Sequence, residues 1–326
     1  MRALITGITG FVGSHLAEYL LSLGDCEVHG TRRHFRSNTE NISGILPKIT
    51  LHECDMRDLS ATQRVVDEIQ PEIIFHLAAQ SFVHDSFIAP KETFDTNTGG
   101  NINLLEAVIR TRRTHPSYNP AIHVAGSSEE YGFVHPDEVP LKENNPLRPL
   151  SPYGSSKVAQ EYLSLKYART HTLRVVVTRA FNHTGPRRGE VFATSNFAKQ
   201  IAEIELGHKE TVIRHGNLDA VRDFTDVRDM VKAYVLACGI DTPTTPFNVA
   251  SGTGYTIKHV LEILLSFSNA EIELKQDPSR MRPSDVEVLI GDSTLFRNAT
   301  GWRPEILFEK TLEDLLNFWR NKIPKK

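Results

Sequence analysis

Tyr153-Gly154-Ser155-Ser156-Lys157 sets a phenol and an amine four residues apart just behind Pro152. A helix beginning there carries both side chains on one face. A free phenol has a pKa of about 10 and is ionised to roughly one part in a thousand at neutral pH. A neighbouring ammonium group favours the phenolate, and each pKa unit is worth about 1.4 kcal/mol. Such a pair can give a proton to a carbonyl oxygen or take one from an alcohol. The spacing alone recurs by accident; here it follows Gly126-Ser127-Ser128-Glu129-Glu130-Tyr131-Gly132 and a glycine-rich segment at the start of the chain.

That segment, Thr6-Gly7-Ile8-Thr9-Gly10-Phe11-Val12-Gly13, follows an apolar run and opens a helix. Gly7 permits a tight turn, Gly10 lets backbone approach a pyrophosphate, and Gly13 lets the helix pack on the strand. The first helical turn, with Phe11 and Val12, supplies free N–H groups and partial positive charge to phosphates. A dinucleotide bound there brings a nicotinamide to accept or supply the hydride that the Tyr–Lys pair needs as its partner. The second strand ends in Val28-His29-Gly30-Thr31-Arg32-Arg33, with no acid to hold the adenosine ribose of NAD. Two arginine forks match a 2′-phosphate, which favours NADP(H) and leaves NAD(H) open. Asp55 and Met56, after the third strand, are placed to bracket an adenine, and Leu77-Ala78-Ala79, after the fourth, to let the cofactor backbone pass.

The elements that must position these groups alternate. Ala3–Thr6, Glu27–Gly30, Ile49–Glu53, Ile73–Leu77, Ala121–Gly126 and Arg174–Arg179 read as strands, with helices over Gly13–Ser22, Ala61–Ile69, Asn97–Arg110 and Tyr153–Thr170. The series predicts an α/β protein with a Rossmann-type, doubly wound parallel sheet. After Arg179 the pattern loosens: loops over Asn182–Gly189, His215–Asp219 and Asp241–Pro246 alternate with helices near Phe192–Glu205, Val227–Ala237 and Ile257–Phe267. The expected organisation is a cofactor domain over 1–180, with returns from about 217–250, and a smaller, interleaved C-terminal α/β substrate domain over 181–326.

Composition narrows the function classes. The 326 residues are 40% hydrophobic and 24% charged, with net charge -3, so no general field attracts nucleic acid or an anionic membrane. Cys26, Cys54 and Cys238 are too few and too scattered for a disulfide framework or a metal site, and a reducing cytoplasm fits them. The chain enters an apolar strand at once, without a basic leader, and its apolar runs are too short to span a bilayer.

Taken together, these motifs resemble the extended short-chain dehydrogenase/reductases of the nucleotide-sugar branch, over essentially the whole chain. The family's glycine motif falls on Gly7, Gly10 and Gly13, and its triad on Ser127, Tyr153 and Lys157. The resemblance implies that the Ser127 hydroxyl bonds the reacting oxygen and that Lys157 also holds the nicotinamide ribose. Within the family, the chain is similar to the GDP-mannose 4,6-dehydratases and the GDP-4-keto-6-deoxy-mannose reductases. Phe181-Asn182-His183-Thr184-Gly185-Pro186 is similar to their nucleotide-sugar loop, with His183 on the cofactor side. Gly216-Asn217-Leu218-Asp219-Ala220-Val221-Arg222-Asp223-Phe224 and Arg282-Pro283-Ser284-Asp285-Val286 are similar to their diphosphate segments. The GDP-sugar contacts implied are Gln80, Ser81, Ser86, Ser128 and Asn182, with Lys199 near the base and Asn217, Arg222 and Arg282 at the diphosphate.

The two reactions share cofactor and triad. A dehydratase needs a further acid/base for the C5 proton and the C6 hydroxyl, and the resemblance maps it to Glu129. Ser-Ser-Glu-Glu-Tyr-Gly, Val221–Asp229 and the short segment before Arg282 look like the reductase. Arg32-Arg33 with Ser37-Asn38-Thr39, and Pro186-Arg187-Arg188-Gly189-Glu190, look like the dehydratase, whose arginine-rich loop reaches a neighbouring subunit's cofactor. A homodimer or homotetramer is expected. The balance favours the reductase, with the dehydratase as its alternative and an epimerase or an idle cofactor-binding sensor left open.

Overall fold

The computed structural model describes residues 1–241, 245–280 and 286–324. Six strands, β1 (Arg2–Thr6), β2 (Glu27–Arg32), β3 (Ile49–Glu53), β4 (Ile73–His76), β5 (Ala121–Ala125) and β6 (Arg174–Ala180), fill the first half. Between them run α1 (Phe11–Ser22), α2 (Leu59–Ile69), the short α3 (Val83–Ile88) and α4 (Pro90–Phe94), α5 (Gly100–Thr114) and α6 (Pro152–His171). The remainder is β7 (Asn182–Thr184), α7 (Ala193–Glu205), β8 (Val212–His215), β9 (Val221–Asp226), α8 (Val227–Ala237) and β10 (Phe247–Val249). It ends in β11 (Gly254–Thr256), α9 (Ile257–Ser266), β12 (Glu273–Gln276), β13 (Val288–Leu289), α10 (Thr294–Thr300) and α11 (Phe308–Lys322).

The main sheet has seven parallel strands in the order β10-β6-β5-β4-β1-β2-β3. The chain winds outward from β1 to β3, then returns to β4 on the other side of β1. The loops after β1 and β4 therefore diverge and leave a crevice at the carboxyl ends of the strands. Side-chain alternation gives the sheet two buried faces. Ala3 and Ile5 of β1 join Leu16 and Leu20 of α1 and Met230 and Tyr234 of α8. Leu4 turns the other way, onto Val65 and Val66 of α2 and Leu104, Leu105 and Val108 of α5. Burying a side chain such as Leu4 contributes about 1.5–3 kcal/mol.

A second lobe has its own core, in which Phe197 and Ile201 of α7, Val260 and Leu264 of α9 and Leu312, Leu316 and Trp319 of α11 pack with Phe224 of β9. Here β9 pairs with β7, β11 and β13, while β12 pairs with β8. Between these segments α8 and β10 return to the first lobe, β10 as the sheet's edge strand beside β6.

Two local expectations differ from the structure. Asn182–Gly189 is not all loop, because Asn182, His183 and Thr184 pair with Phe224, Thr225 and Asp226 of β9. The helix expected from Asn97 begins properly at Gly100, after a single π-turn over Asp95–Gly99. The Asn97 side chain holds that turn, accepting from Gln80 N at 2.8 Å and donating to Gln80 O at 3.0 Å and Ser156 Oγ at 2.9 Å. It thereby fixes the loop after β4 against α6.

Candidate active site

The crevice opens into a cleft of about 620 Å³. Its floor begins where Thr6 Oγ1 accepts the N–H groups of Leu77 and Ala78, each at 3.1 Å, and ties the ends of β1 and β4 together. Gly7 stands in the left-handed region (φ +72°), and a Cβ there would meet Ala78 Cα at 3.0 Å. At Gly13 a Cβ would stand 2.5 Å from Gly7 O, so α1 lies directly on the loop that precedes it. Gly10, at the N-cap of α1, has no side chain to cap the helix, which leaves its first N–H groups open to an anion. Arg32 Nε, Gln80 Oε1, Thr96 Oγ1 and Asn182 Oδ1 are buried in the walls of the same cleft without hydrogen-bond partners among the described residues. A cradle closed to any Cβ, a helix N-terminus and unpartnered polar atoms fit a dinucleotide.

Gly7, Gly10, Phe11, Val12, Gly13, Arg32, Arg33, Asp55, Met56, Leu77, Ala78, Ala79 and His183 all line the cleft. Two of them are engaged otherwise than expected. The Asp55 carboxylate meets Arg57 at 2.6 Å and Arg33 at 3.3 Å rather than presenting an open face to an adenine. Arg33 also reaches Glu92 of α4 at 3.2 Å, so acids arrive at the end of β2 from other elements although the strand carries none.

On the opposite wall, Ser151 caps α6 by accepting the Gly154 N–H at 3.0 Å, and Tyr153 and Lys157 follow on the helix face that lines the cleft. The Ser127 hydroxyl stands beside the Tyr153 phenol and pulls against its rise. Lys157 Nζ donates to Ala125 O at 2.7 Å and Gln160 Oε1 at 2.9 Å, and lies 5.9 Å from the centre of the Tyr153 ring. Burial pushes the phenol up to about 12, and negative charge at Glu129, or at Glu130 were it ionised, adds to that effect. Burial pulls Lys157 down to about 8, with Glu130 opposing. Burial outweighs the pull expected from the neighbouring ammonium: Lys157 lies over the Tyr153 ring but gives its hydrogen bonds to Ala125 O and Gln160, and desolvation dominates. A second cation, Arg188, also acts on Tyr153 and favours its ionised form. Its guanidinium lies over the rings of Phe192 (3.4 Å) and Phe11 (5.0 Å), and burial pulls it down to about 10. Phe11 stacks on His183 with 6.0 Å between ring centres; burial, then Arg188, pulls that imidazole down to about 4, so it is neutral at physiological pH.

Of the residues expected to contact a sugar nucleotide, Gln80, Ser81, Ser128 and Asn182 line the cleft, as does Glu129. Ser86 does not; it is buried within α3, where its hydroxyl donates to Val83 O at 2.6 Å. Lys199, Asn217 and Arg222 lie away from this cleft. Lys199 pairs with Glu190 and, at 3.7 Å, with Glu203, over the Trp319 ring. Asn217 Oδ1 accepts from Asp219 N at 2.9 Å, and Arg222 donates to Val286 O at 2.6 Å. Arg282 falls outside the described residues. Asp223, beside Arg222, is buried and accepts from the backbone of Ser251, Gly252 and Gly291.

A sequence model of the family described as GDP-mannose 4,6 dehydratase matches residues 4–315. The chain belongs to the GDP-mannose 4,6-dehydratase family. Relatives within reach of this family differ in the reaction they are named for. The GDP-mannose 4,6-dehydratase of Yersinia enterocolitica is 34% identical over 97% of this chain and 92% of its own. The GDP-6-deoxy-D-mannose reductase of Pseudomonas aeruginosa is 30% identical over 99% and 98%. Among solved structures, RMD from Pseudomonas aeruginosa complexed with NADPH superposes with a TM-score of 0.84 at 29% identity, covering 99% of both chains. The UDP-glucose 4-epimerase of Thermus thermophilus in complex with NAD gives 0.85 at 29%, covering 99% of this chain and 100% of that one.

Within this GDP-mannose 4,6-dehydratase family member, the cleft also holds residues to which the sequence reading assigned no role in it: Thr96, Arg188, Phe192 and Tyr234. For Arg188 the signal was the doubled Arg187-Arg188, which pointed to a neighbouring subunit. In the structure Arg187 pairs with Glu18 at 2.6 Å and His15 at 2.7 Å, and only Arg188 turns into the chain's own cleft. Tyr234 carries no local signal, because it belongs to α8 and reaches the site by that helix's return to the first lobe.

Proposed function

We propose that this chain is an NADP(H)-dependent reductase of GDP-4-keto-6-deoxy-D-mannose, acting at C4 in the formation of GDP-deoxyhexoses. The broader statement, an enzyme of the extended short-chain dehydrogenase/reductase class that modifies a GDP-sugar, follows from its family. The observation that carries the narrower one is the Tyr153 phenol, buried in the cleft wall beside Ser127 and pushed up to about 12 by that burial. It keeps its proton throughout the physiological range, and a ketone being reduced needs a proton donor there. Bound NADPH supplies the hydride.

The chain's own groups do the rest. Ser127 and Tyr153 offer two hydroxyls to one oxygen, and the phenol passes its proton to it as charge develops. The phenolate left behind faces Arg188, which favours the ionised form. Ala125 O and Gln160 fix the Lys157 ammonium on the cleft wall, where it suits a ribose hydroxyl. The nearly end-to-end likeness to the Pseudomonas aeruginosa reductase, and to an RMD solved with NADPH, supports this reading.

The test is to supply the purified chain with the 4-keto-6-deoxy GDP-sugar and NADPH, and separately with GDP-mannose and no reductant. Stoichiometric NADPH oxidation in the first arm is expected; loss of water from GDP-mannose in the second would remove the assignment. One observation favours the 4,6-dehydratase as a second reading: Glu129 is among the residues that line the cleft, where a C5 proton acceptor would have to be. Glu129→Gln is expected to abolish any dehydration while leaving at least about a third of ketone reduction, since only elimination needs that acid/base. Equal losses in both assays would show that Glu129 serves the shared step instead.

A further inference from the structure

Glu130 follows the cleft-lining Glu129, and reduction of a ketone assigns it no task. Its side chain is 0% exposed. Oε1 accepts the Ser127 N–H at 2.7 Å, while Ser127 Oγ accepts the Glu129 N–H at 3.2 Å. The seat is tight: a Cβ on Gly126 would stand 2.7 Å from Glu130 Oε1 and 2.8 Å from Thr178 O.

Charge lies directly behind it. Arg179 Nε and Nη2 donate to the two oxygens of Glu161 at 2.8 and 2.6 Å, and Nη1 to the Tyr131 hydroxyl and Glu143 O, each at 3.0 Å. The guanidinium is thus committed to Glu161, and its Nε stands 3.7 Å from Glu130 Oε2, beyond hydrogen-bond range. The other cation that acts on Glu130, Lys157, gives its hydrogen bonds to Ala125 O and Gln160, so neither cation donates to the Glu130 carboxyl and a proton is the remaining way to neutralise it. Glu130 Oε2 meets no donor among the described residues and lies against Glu161, so it is the natural seat for that proton. Burial, then Glu161, pushes the Glu130 carboxyl well up against the pull of Arg179 and the Ser127 N–H.

We propose that Glu130 is a positioning residue: as a neutral acid sharing its proton with Glu161, it clamps the Ser127–Glu129 turn so that the Ser127 hydroxyl stays beside Tyr153. Its catalytic consequence rests on the ketone-reduction reading of the cleft; its geometry does not. Neutrality has a second effect, because an ionised Glu130 would add negative charge beside both Tyr153 and Lys157.

Two variants separate a clamp from a generic core residue. Glu130→Gln keeps an oxygen for the Ser127 N–H and turns a donor toward Glu161, whereas Glu130→Met has the length and neither group. With NADPH and the 4-keto-6-deoxy GDP-sugar, Glu130→Met is expected to lose at least about tenfold in kcat with KM moved less than about twofold, and Glu130→Gln to recover most of that loss. Infrared spectroscopy at neutral pH reads the proton without substrate: a neutral carboxylic acid band is expected in the parent and absent from Glu130→Gln. Equal losses in both variants, full kcat in Glu130→Met, or no such band in the parent would overturn the proposal. If the parent reduces no ketosugar, the same kcat comparison is made on GDP-mannose dehydration, where Ser127 and Tyr153 handle the same C4 oxygen. That outcome removes the reductase reading, and the clamp then stands or falls on the two variants and the infrared band.

Discussion

Tyr153 holds a proton that burial keeps in place and Arg188 makes easier to release, so the residue works as an acid whose conjugate base is already provided for. Tyr153→Phe removes the donor and leaves the packing. A general acid contributes about 10²–10⁴-fold, so kcat for ketone reduction should fall by that order while the thermal midpoint barely moves. A loss below about tenfold in single-turnover assays would mean that Ser127 or water protonates the oxygen instead. The second titrating group is Lys157, pulled down to about 8 by burial. Below that pH its ammonium is charged and able to bind a ribose hydroxyl; as pH rises through about 8 the charge is lost, and kcat/KM should fall with it. A basic limb centred near the free-lysine value of about 10.4 would show that another group governs activity. The Tyr–Lys spacing was legible in the sequence, but its electrostatics were not. Spacing places two side chains on one face; it does not reveal that Ala125 O and Gln160 turn the amine aside.

At the scale of elements, the strand–loop–helix unit over β1 and α1 was readable because its glycines answer to backbone geometry that no other residue meets. Gly13 tests this most directly. A methyl there would stand 2.5 Å from Gly7 O and 2.8 Å from Ile8 Cα, both backbone atoms, so α1 must shift as a body. Gly13→Ala should cost about 1–3 kcal/mol of stability, in the range of overpacked cores, and weaken NADPH binding in the same variant. Both are measurable, by thermal denaturation and by fluorescence of the bound nicotinamide. An unchanged Kd alongside a lowered midpoint would separate the packing role of the glycine from its cofactor role. By contrast, β7 was hidden. Three residues give no periodicity, and Asn182, His183 and Thr184 become a strand only because β9, some forty residues on, lies beside them. The π-turn before α5 was hidden for a related reason, since it is held by the Asn97 side chain reaching across to Gln80 and Ser156.

At the scale of the whole molecule, the sheet order brings the ends of β1, β2 and β3 to one side of the crevice and those of β4, β5 and β6 to the other. A dinucleotide across that divide binds only the folded chain and stabilises it by RT ln(1 + [L]/Kd), about 2.7 kcal/mol at a hundred times Kd. The end of β2 decides which dinucleotide does so best. Arg33 is already held by Asp55 and Glu92, and a 2′-phosphate must compete with both carboxylates for it. Arg32 lines the cleft with its Nε buried and without a partner among the described residues, so it can meet the phosphate without giving up a bond to them at that atom. NADPH should therefore raise the thermal midpoint more than NADH at equal concentration. Arg32→Ala should remove most of that difference, and Arg33→Ala should remove less, because part of what it loses is repaid by freeing Asp55 and Glu92. The reverse order of the two variants would place the phosphate on Arg33 and require its ion pairs to open on binding. An NADH shift equal to that of NADPH in the parent would mean that neither arginine reads the 2′-position, and the preference for NADP(H) would fall with it.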